Sequence, residues 1–250
     1  MLTGAHAIRL RPAAAIPGLF APLEKAGVRF RRSQLSMIVA APGVGKSVVA
    51  TNLAHAVDDS LYVSLDTDAF TWSARAAAID TGFPIDYIEQ HGLDSVETGP
   101  DFDKMVLASP WHASVMDIGE EIAAYVTVFG RVPQIVFVDN LDNVTPDVDT
   151  EEGYAGGERA VLDSLHKMAR KLDVNICLLH HSVGIYEDGN KPIPLSGLMN
   201  KVGKLPATIL TLTREGPDLK MYAVKNRGGP SDPTAQNPIP FDYDGPTARI

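Results

Sequence analysis

Lys46 and Ser47 are the residues whose types and spacing point most directly to chemistry. They close a glycine-containing loop that lies between an apolar segment and a helix-compatible one. In such a context the backbone N–H groups of the loop and the N-terminus of the helix bind phosphate oxygens. The lysine then reaches the β- and γ-phosphates and the serine hydroxyl binds Mg²⁺. The predicted phosphate-binding set is Ala41, Pro42, Gly43, Val44, Gly45, Lys46, Ser47 and Val48.

The loop departs from the usual pattern at one position. The pattern G-x-x-x-x-G-K-[ST] places glycine where this chain has Ala40. A methyl group is tolerated there if the backbone φ stays negative, whereas Gly43 and Gly45 are free to take positive φ. The motif is therefore predicted to form despite Ala40.

Two carboxylates follow apolar segments that are typical of buried strands. Asp139 follows residues 135–138 and is predicted to hold Mg²⁺ through water. Asp66 follows residues 61–65 and is a candidate base that orients and deprotonates an attacking water. Asp68 is the rival base, and the alternative interpretation is a pair of solvated turn carboxylates. Ligands of open α/β sheets bind where parallel strands end, which favours a shared site.

Histidines and a basic pair complete the candidate chemistry. His180 and His181 end a further apolar segment, and His181 is the candidate sensor of the γ-phosphate. A metal-binding pair or ordinary structural histidines are the alternatives. Lys225 and Arg227 are two residues apart on an extended segment and so point the same way. They are candidates for stabilising transition-state charge in a neighbour's site, with an exposed basic turn as the alternative.

These residues require a sheet that brings strand ends together. Apolar strand-like runs alternate with amphipathic helix-like segments, which indicates an α/β fold with a mostly parallel sheet covered by helices. The last two strands lack a helix between them and are expected to form an antiparallel edge. Residues 1–17 are interpreted as an arm and residues 18–250 as one domain. The predicted strands are 35–40, 61–65, 105–108, 134–138, 174–179, 208–212 and 220–224, and the predicted helices are 48–57, 70–79, 117–129 and 158–172.

Composition sets outer limits. The 250 residues are 45% hydrophobic and carry a net charge of −9, which argues against a surface that is basic all over. No apolar run approaches the ~20 residues that span a membrane. The single cysteine, Cys177, lies in an apolar run and is interpreted as a buried small hydrophobe. A cytoplasmic location without membrane contact is the expectation.

The order of these motifs resembles the RecA-type P-loop ATPase domain of DnaB-like replicative helicases. The resemblance rests on the phosphate loop, on Ser64-Leu65-Asp66, on Asp139 with its apolar strand, and on residues 225–228, Lys-Asn-Arg-Gly. Asp66 stands where that family has glutamate, and His181 stands where it often has glutamine. The sequence is expected to lack the helical N-terminal domain of that family. The two histidines also resemble those of plasmid-type hexameric helicases and phage RecA-like recombination ATPases.

The resemblance implies ATP and Mg²⁺ as cofactors and a homo-oligomeric ring, expected to be hexameric, with ATP sites between subunits. Single-stranded DNA would pass through the ring and contact the loops after Asp139 and His181. The implied activity is that of a replicative DNA helicase or translocase. A recombination or annealing ATPase without unwinding, and a nucleotide-gated assembly module with negligible turnover, are the alternatives. The implied DNA-binding residues are Lys191, Lys201 and Lys204.

Overall fold

A computed structural model of the chain describes residues 13–17, 20–147 and 153–250. Seven α-helices lie in this part of the chain, and short 3₁₀ turns connect several of them. The helices are α1 (Ala21–Lys25), α2 (Lys46–Ala56), α3 (Ala69–Thr81), α4 (Ile85–His91), α5 (Pro100–Asp103), α6 (Val115–Phe129) and α7 (Gly153–Leu172).

Nine strands accompany these helices within the described ranges. They are β1 (Leu35–Ala40), β2 (Ser60–Ser64), β3 (Met105–Ala108), β4 (Ala113–Ser114), β5 (Ile135–Asp139), β6 (Val144–Thr145), β7 (Asn175–His181), β8 (Thr208–Glu215) and β9 (Asp218–Asn226). Seven of them form one sheet in the order β3-β2-β5-β7-β1-β8-β9, and β4 pairs with β6. All pairs in the large sheet are parallel except β8 with β9.

The two faces of the sheet carry separate hydrophobic layers, because successive strand side chains point to opposite faces. One layer packs β1, β2 and β5 against α2 and the start of α3, with Ile38, Leu53 and Phe137 fully buried. The other packs the same strands against α6 and α7, with Met37, Ile118 and Leu165 fully buried. The continuous apolar strands are thus explained by burial on both sides.

The predicted α/β architecture is confirmed, with local differences. The expected antiparallel pair at the edge is formed by β8 and β9, and β8 also runs parallel to β1. Residues 81–100 carry no predicted strand or helix, but they contain α4, which packs Ile88 into a small alanine-rich cluster of α3. Helix α7 begins at Gly153, five residues before its predicted start. The amphipathic signal of α7 fades there because its first turn is rich in glycine and alanine.

The ends of the chain pack against the same body. Residues 13–16 of the predicted arm pair with the segment around Arg31, and Ile16 is buried. Residues 1–12 of the arm lie outside the described part. At the other end, Asn52 donates to Ala248 O at 2.7 Å and accepts from Ile250 N at 3.2 Å. Cys177 is buried and unpaired, as predicted. In the described ranges every helix is too short or too polar to cross a bilayer.

Candidate active site

Strands β2, β5, β7 and β1 are neighbours in the sheet, so their carboxyl ends form one edge. Asp139 and His181 are the last residues of β5 and β7, while Asp66 and the loop of residues 41–45 follow β2 and β1. These groups were expected to lie close together because each is near the end of a predicted strand, and the strand order places those ends side by side. The edge therefore gathers every candidate group for phosphate binding, metal binding and water activation.

The phosphate loop takes its shape from two glycines. Gly43 has φ 74° and Gly45 has φ 126°, values that side chains with a Cβ rarely adopt. Ala40, by contrast, is the last residue of β1 and is fully buried. It pairs with His181, and its carbonyl accepts from Ser182 N at 3.0 Å. The missing glycine is accommodated because position 40 belongs to the strand and not to the turn.

Lys46 connects the phosphate loop to the sensor strand. Its ammonium donates to Ala40 O at 3.2 Å and to His181 Nδ1 at 3.0 Å, which leaves one of its three N–H groups for a phosphate oxygen. Burial lowers the pKa of Lys46, opposed by the charge of Asp139 in particular. Burial, together with the charge of Lys46, also lowers the pKa of His181. A neutral His181 is the form that can accept from an ammonium.

This acceptor role fixes the His181 tautomer and reveals Asn140 as a partner that sequence reasoning missed. With Nδ1 accepting, the proton lies on Nε2, which is 3.1 Å from the Asn140 side-chain nitrogen. Two donors would then face each other, while the buried Asn140 Oδ1 has no hydrogen bond. Turning the amide over places Oδ1 against Nε2–H, so that the histidine donates and the amide oxygen accepts. Asn140 follows Asp139 directly in the chain, and that adjacency was the available signal.

Asp139 is held by a second residue without a predicted role. The Tyr62 hydroxyl donates to Asp139 Oδ2 at 2.7 Å, and both side chains are almost completely buried. Burial raises the pKa of Tyr62 well above its usual value, and the charge of Asp139 adds to the effect, so the hydroxyl keeps its proton. Asp139 and the Ser47 hydroxyl offer the hard oxygen ligands that Mg²⁺ prefers. These donors fit the predicted metal ion.

The two rival bases have different surroundings. Both Asp68 oxygens bond to Thr71 at the start of α3, one to the backbone N at 3.0 Å and one to the hydroxyl at 2.7 Å. These bonds lower the pKa of the Asp68 carboxyl and identify it as the N-cap of α3. Asp66 is also exposed, and it lines a cleft of about 340 Å³ that Asp68 and Trp111 line as well. The preceding residue is anchored, because Leu65 N donates to Asp139 O at 2.6 Å.

His180 lies between two carboxylates from other elements. Its Nδ1 is 3.1 Å from Asp142 Oδ1 and its Nε2 is 3.6 Å from Glu158 Oε1. Burial raises the pKa of Asp142, but the hydrogen bond and charge of His180 outweigh it and leave that pKa below its usual value. The sequence offered no nearby ligand partner for a histidine, whereas the fold brings three potential ligand atoms within 4.8 Å. The arrangement ties β7 to α7 and could also hold a divalent cation.

Lys225 and Arg227 lie at the opposite edge of the sheet. Lys225 donates to Gly203 O and to Lys204 O, and Arg227 donates to the same Lys204 carbonyl at 2.8 Å. Both side chains therefore point to one side, as their spacing predicted. Burial and the nearby charge of Arg227 lower the pKa of Lys225 to about 8.

The predicted DNA-binding lysines are spread along one long connection, residues 182–206. Gly189 in its first part lies against Val44 of the phosphate loop, close to the exposed Lys191. The exposed Lys204 lies at the far end, beside Lys225 and Arg227. The side chain of Lys201 lies outside the described part. The fold thus separates Lys191 from Lys204 along the length of β8.

Comparison with known proteins places the chain among phage relatives. A family model described as "AAA domain" matches residues 6–183. Two proteins named "Gene 65 protein" are 36% identical: that of Mycobacterium phage L5, over 94% of this chain and 92% of the relative, and that of Mycobacterium phage D29, over 86% and 97%.

Solved structures share the fold. A structure described as that of a DnaB-like replicative helicase and its interactions with primase superposes with TM-score 0.78 at 18% identity, over 98% of this chain. The match spans 65% of that helicase chain. A second structure, described as an ATPase domain, superposes with TM-score 0.70 at 20% identity, over 86% of this chain and 84% of the other. Fold and family together support an ATPase-type protein that binds a nucleotide at the loop. The chain belongs to the AAA-domain family, with the mycobacteriophage gene 65 proteins among its relatives and the RecA-like fold of DnaB-like helicase ATPase domains.

Proposed function

We propose that the protein is an ATP-hydrolysing, ring-forming translocase of the helicase type that acts on single-stranded DNA. One observation carries the proposal. The groups for phosphate, Mg²⁺ and water lie on one edge of the sheet, whereas the cations Lys225 and Arg227 lie on the other. A site divided in this way is completed when a second subunit brings its basic edge to the phosphates.

The strand register keeps the basic pair away from the phosphate loop of its own subunit. Asn226 pairs with Thr208, and Thr208 pairs with Ser36 near the start of β1. The phosphate loop begins after Ala40, four residues further along, which is about 13 Å at roughly 3.3 Å per residue. Arg227 lies beyond Asn226 in the direction away from the loop and is bonded to Lys204 O. The guanidinium group of Arg227 therefore does not reach the phosphate loop of its own subunit.

The chain's own groups then divide the work of hydrolysis. Lys46 and the loop amides hold the phosphates, while Ser47 and Asp139 hold the metal ion. Mg²⁺ neutralises charge on the phosphate oxygens when bound. Asp66 takes the proton of the attacking water, because Asp68 is occupied as a helix cap. Lys225 and Arg227 of the neighbouring subunit stabilise the negative charge that develops on the transferred group.

Lys46 and His181 provide a way to report the nucleotide state. A γ-phosphate attracts the Lys46 ammonium and weakens its hydrogen bond to His181 Nδ1. His181 lies at the end of β7, and the connection that follows carries Lys191 and Lys204. Its far end accepts the hydrogen bonds of Lys225 and Arg227. DNA bound along this connection would therefore influence the phosphate loop of one subunit and the basic pair offered to the next.

Hydrolysis of ATP with and without single-stranded DNA tests the proposal, together with unwinding of a forked duplex. Wild type is expected to hydrolyse ATP faster with DNA, and Lys46→Ala is expected to abolish turnover. Arg227→Ala should also be inactive alone, but mixing it with Lys46→Ala should restore part of the activity, because mixed interfaces contain one intact site. Hydrolysis that survives in Lys46→Ala contradicts the proposal. DNA-stimulated hydrolysis without unwinding would instead select an annealing or recombination ATPase.

A further inference from the structure

His180 is a buried ionisable residue that the proposed hydrolysis mechanism does not use. It precedes His181, the last residue of β7, and successive strand residues point to opposite faces. His181 therefore contacts Lys46, whereas His180 faces α7, where its side chain is 11% exposed. Its buried Nδ1 is 3.1 Å from Asp142 Oδ1, but the two atoms are not well aligned for a hydrogen bond. The imidazole is therefore available as a ligand for a cation.

Asp142 is held in place by the turn that carries it. This residue lies in the 3₁₀ turn Leu141–Asn143 after β5, and the Asn143 amide donates to Leu65 O at 3.0 Å. Asp142 Oδ2 accepts from the backbone N of His181 at 3.4 Å, which leaves Oδ1 beside the imidazole of His180. Hydrogen bonds of this kind orient the carboxylate ligands of metal sites. The position of Asp142 is thus set by contacts with both β2 and β7.

Glu158 brings a second carboxylate from α7. Its side chain is 9% exposed, and Oε1 is 3.6 Å from His180 Nε2. Val161 and Leu165, on the following turns of α7, are buried and hold the helix against the sheet. One ligand atom from each of Asp142, Glu158 and His180 lies within 4.8 Å of the other two. A strand, a turn and a helix therefore bring one imidazole and two carboxylates together.

The separations within this cluster suit zinc. Tetrahedral zinc has bonds of about 2.0–2.2 Å to nitrogen and oxygen, which places neighbouring ligand atoms about 3.3–3.6 Å apart. The distances from the His180 nitrogens to Asp142 and Glu158, 3.1 and 3.6 Å, are close to this range. An ion binds one imidazole nitrogen, so one carboxylate must turn towards it, and the long side chain of Glu158 permits this. Imidazole favours zinc, whereas Mg²⁺ and Ca²⁺ take oxygen ligands.

We propose that Asp142, Glu158 and His180 bind a Zn²⁺ ion, with water in the fourth position. The ion fastens the end of β7 to the turn after β5 and to α7, so it holds the two ends of the connection between β5 and α7 together. It shares no ligand with the Mg²⁺ site of Ser47 and Asp139. The inference goes beyond the proposed function and does not depend on hydrolysis.

Calorimetric titration of the whole chain with Zn²⁺, in saturating Mg²⁺ to fill the other metal site, tests the proposal. Wild type should bind one Zn²⁺ per chain. Asp142→Asn and Glu158→Gln keep the size of each side chain and should each weaken binding at least about tenfold, since even residues that only support metal ligands contribute that much. Glu121→Gln removes a carboxylate from α6 instead and should leave the affinity unchanged.

Co²⁺ gives a second measurement, because its visible absorption reports four-coordinate binding. The absorption should appear in wild type and in His166→Asn, a histidine control on α7, and should be lost in His180→Asn. Zn²⁺ should also raise the melting temperature of wild type but not of Asp142→Asn.

Three outcomes would overturn the inference: no Zn²⁺ binding by wild type, equal binding by wild type and Asp142→Asn, or binding that is lost in Asp139→Asn. If His180→Asn does not fold, Asp142→Asn decides, because the Asp142 side chain is 23% exposed and its amide replacement is tolerated more easily. A loss of stability in Asp142→Asn without any effect of Zn²⁺ on wild type would identify the cluster as an ion pair only and overturn the inference. Zinc binding without ATP hydrolysis would support it and contradict the proposed function.

Discussion

Replacing Tyr62 by phenylalanine removes a single hydroxyl from beneath the metal-binding edge. That hydroxyl donates to Asp139 Oδ2 at 2.7 Å, while its ring packs against Phe137 and Trp72 at centroid distances of 5.8 and 5.2 Å. Phenylalanine keeps this packing. A hydrogen bond to a charged group contributes about 1.5–3 kcal/mol, and the buried Asp139 oxygen loses a partner. We therefore expect the free energy of unfolding to fall by about 2 kcal/mol.

The same change should weaken Mg²⁺ binding, because Tyr62 orients the carboxylate that holds the ion. Loss of such a supporting partner typically costs about 10–100-fold in metal affinity, or about 1.4–2.7 kcal/mol. Urea unfolding in EDTA measures the stability term. The Mg²⁺ dependence of hydrolysis at saturating ATP measures the metal term.

Tyr125→Phe is the matched control. Tyr125 is buried, and burial and the nearby charge of Asp59 raise its pKa; Asp59 precedes β2 and lies at the opposite edge of the sheet. Loss of the Tyr125 hydroxyl should cost stability and leave the Mg²⁺ requirement unchanged. If Tyr62→Phe left the Mg²⁺ requirement unchanged, or if both variants shifted it equally, the assigned role of Tyr62 would be refuted.

Three further outcomes follow from the geometry. Asp66→Asn should keep nucleotide binding and slow phosphate release at least about 100-fold. Asp68→Ala should hydrolyse ATP normally and lose about 1 kcal/mol of stability, because it removes a helix cap. Equal kinetic defects in the two variants would contradict the assignment of Asp66 as the base. Lys225 binds its proton less tightly when folded, with a pKa of about 8, than in the unfolded chain. The stability of wild type relative to Lys225→Met should therefore increase as the pH rises from about 8 to about 10. The urea midpoints of the two proteins measure this, and a difference that does not change with pH would count against it. Ala40→Gly restores the usual motif but should cost about 0.5–1 kcal/mol in denaturation without tightening ATP binding, since position 40 is a buried strand residue.

Several elements were predictable because they depend on local pattern. The apolar run of β1 and the helix pattern of α6 give their types directly, with α6 beginning two residues before its predicted start. Helix α4 was not predicted because it has only seven residues, one of them buried, and lies among glycines and prolines that indicate turns. A helix of that length is stabilised by packing on α3 rather than by its own periodicity.

The sequence by itself determined the phosphate loop, the strand-end carboxylates and the alternation of strands and helices, because these depend on residue type and short spacing. Only the tertiary structure decided which groups meet. It placed Tyr62 under Asp139, Asn140 beside His181, and Asp142 with Glu158 around His180. It also placed Lys225 and Arg227 at the edge opposite the phosphate loop, because β9 runs antiparallel to the other strands. Strand order and direction arise from packing across the whole sheet, which no single stretch of sequence contains.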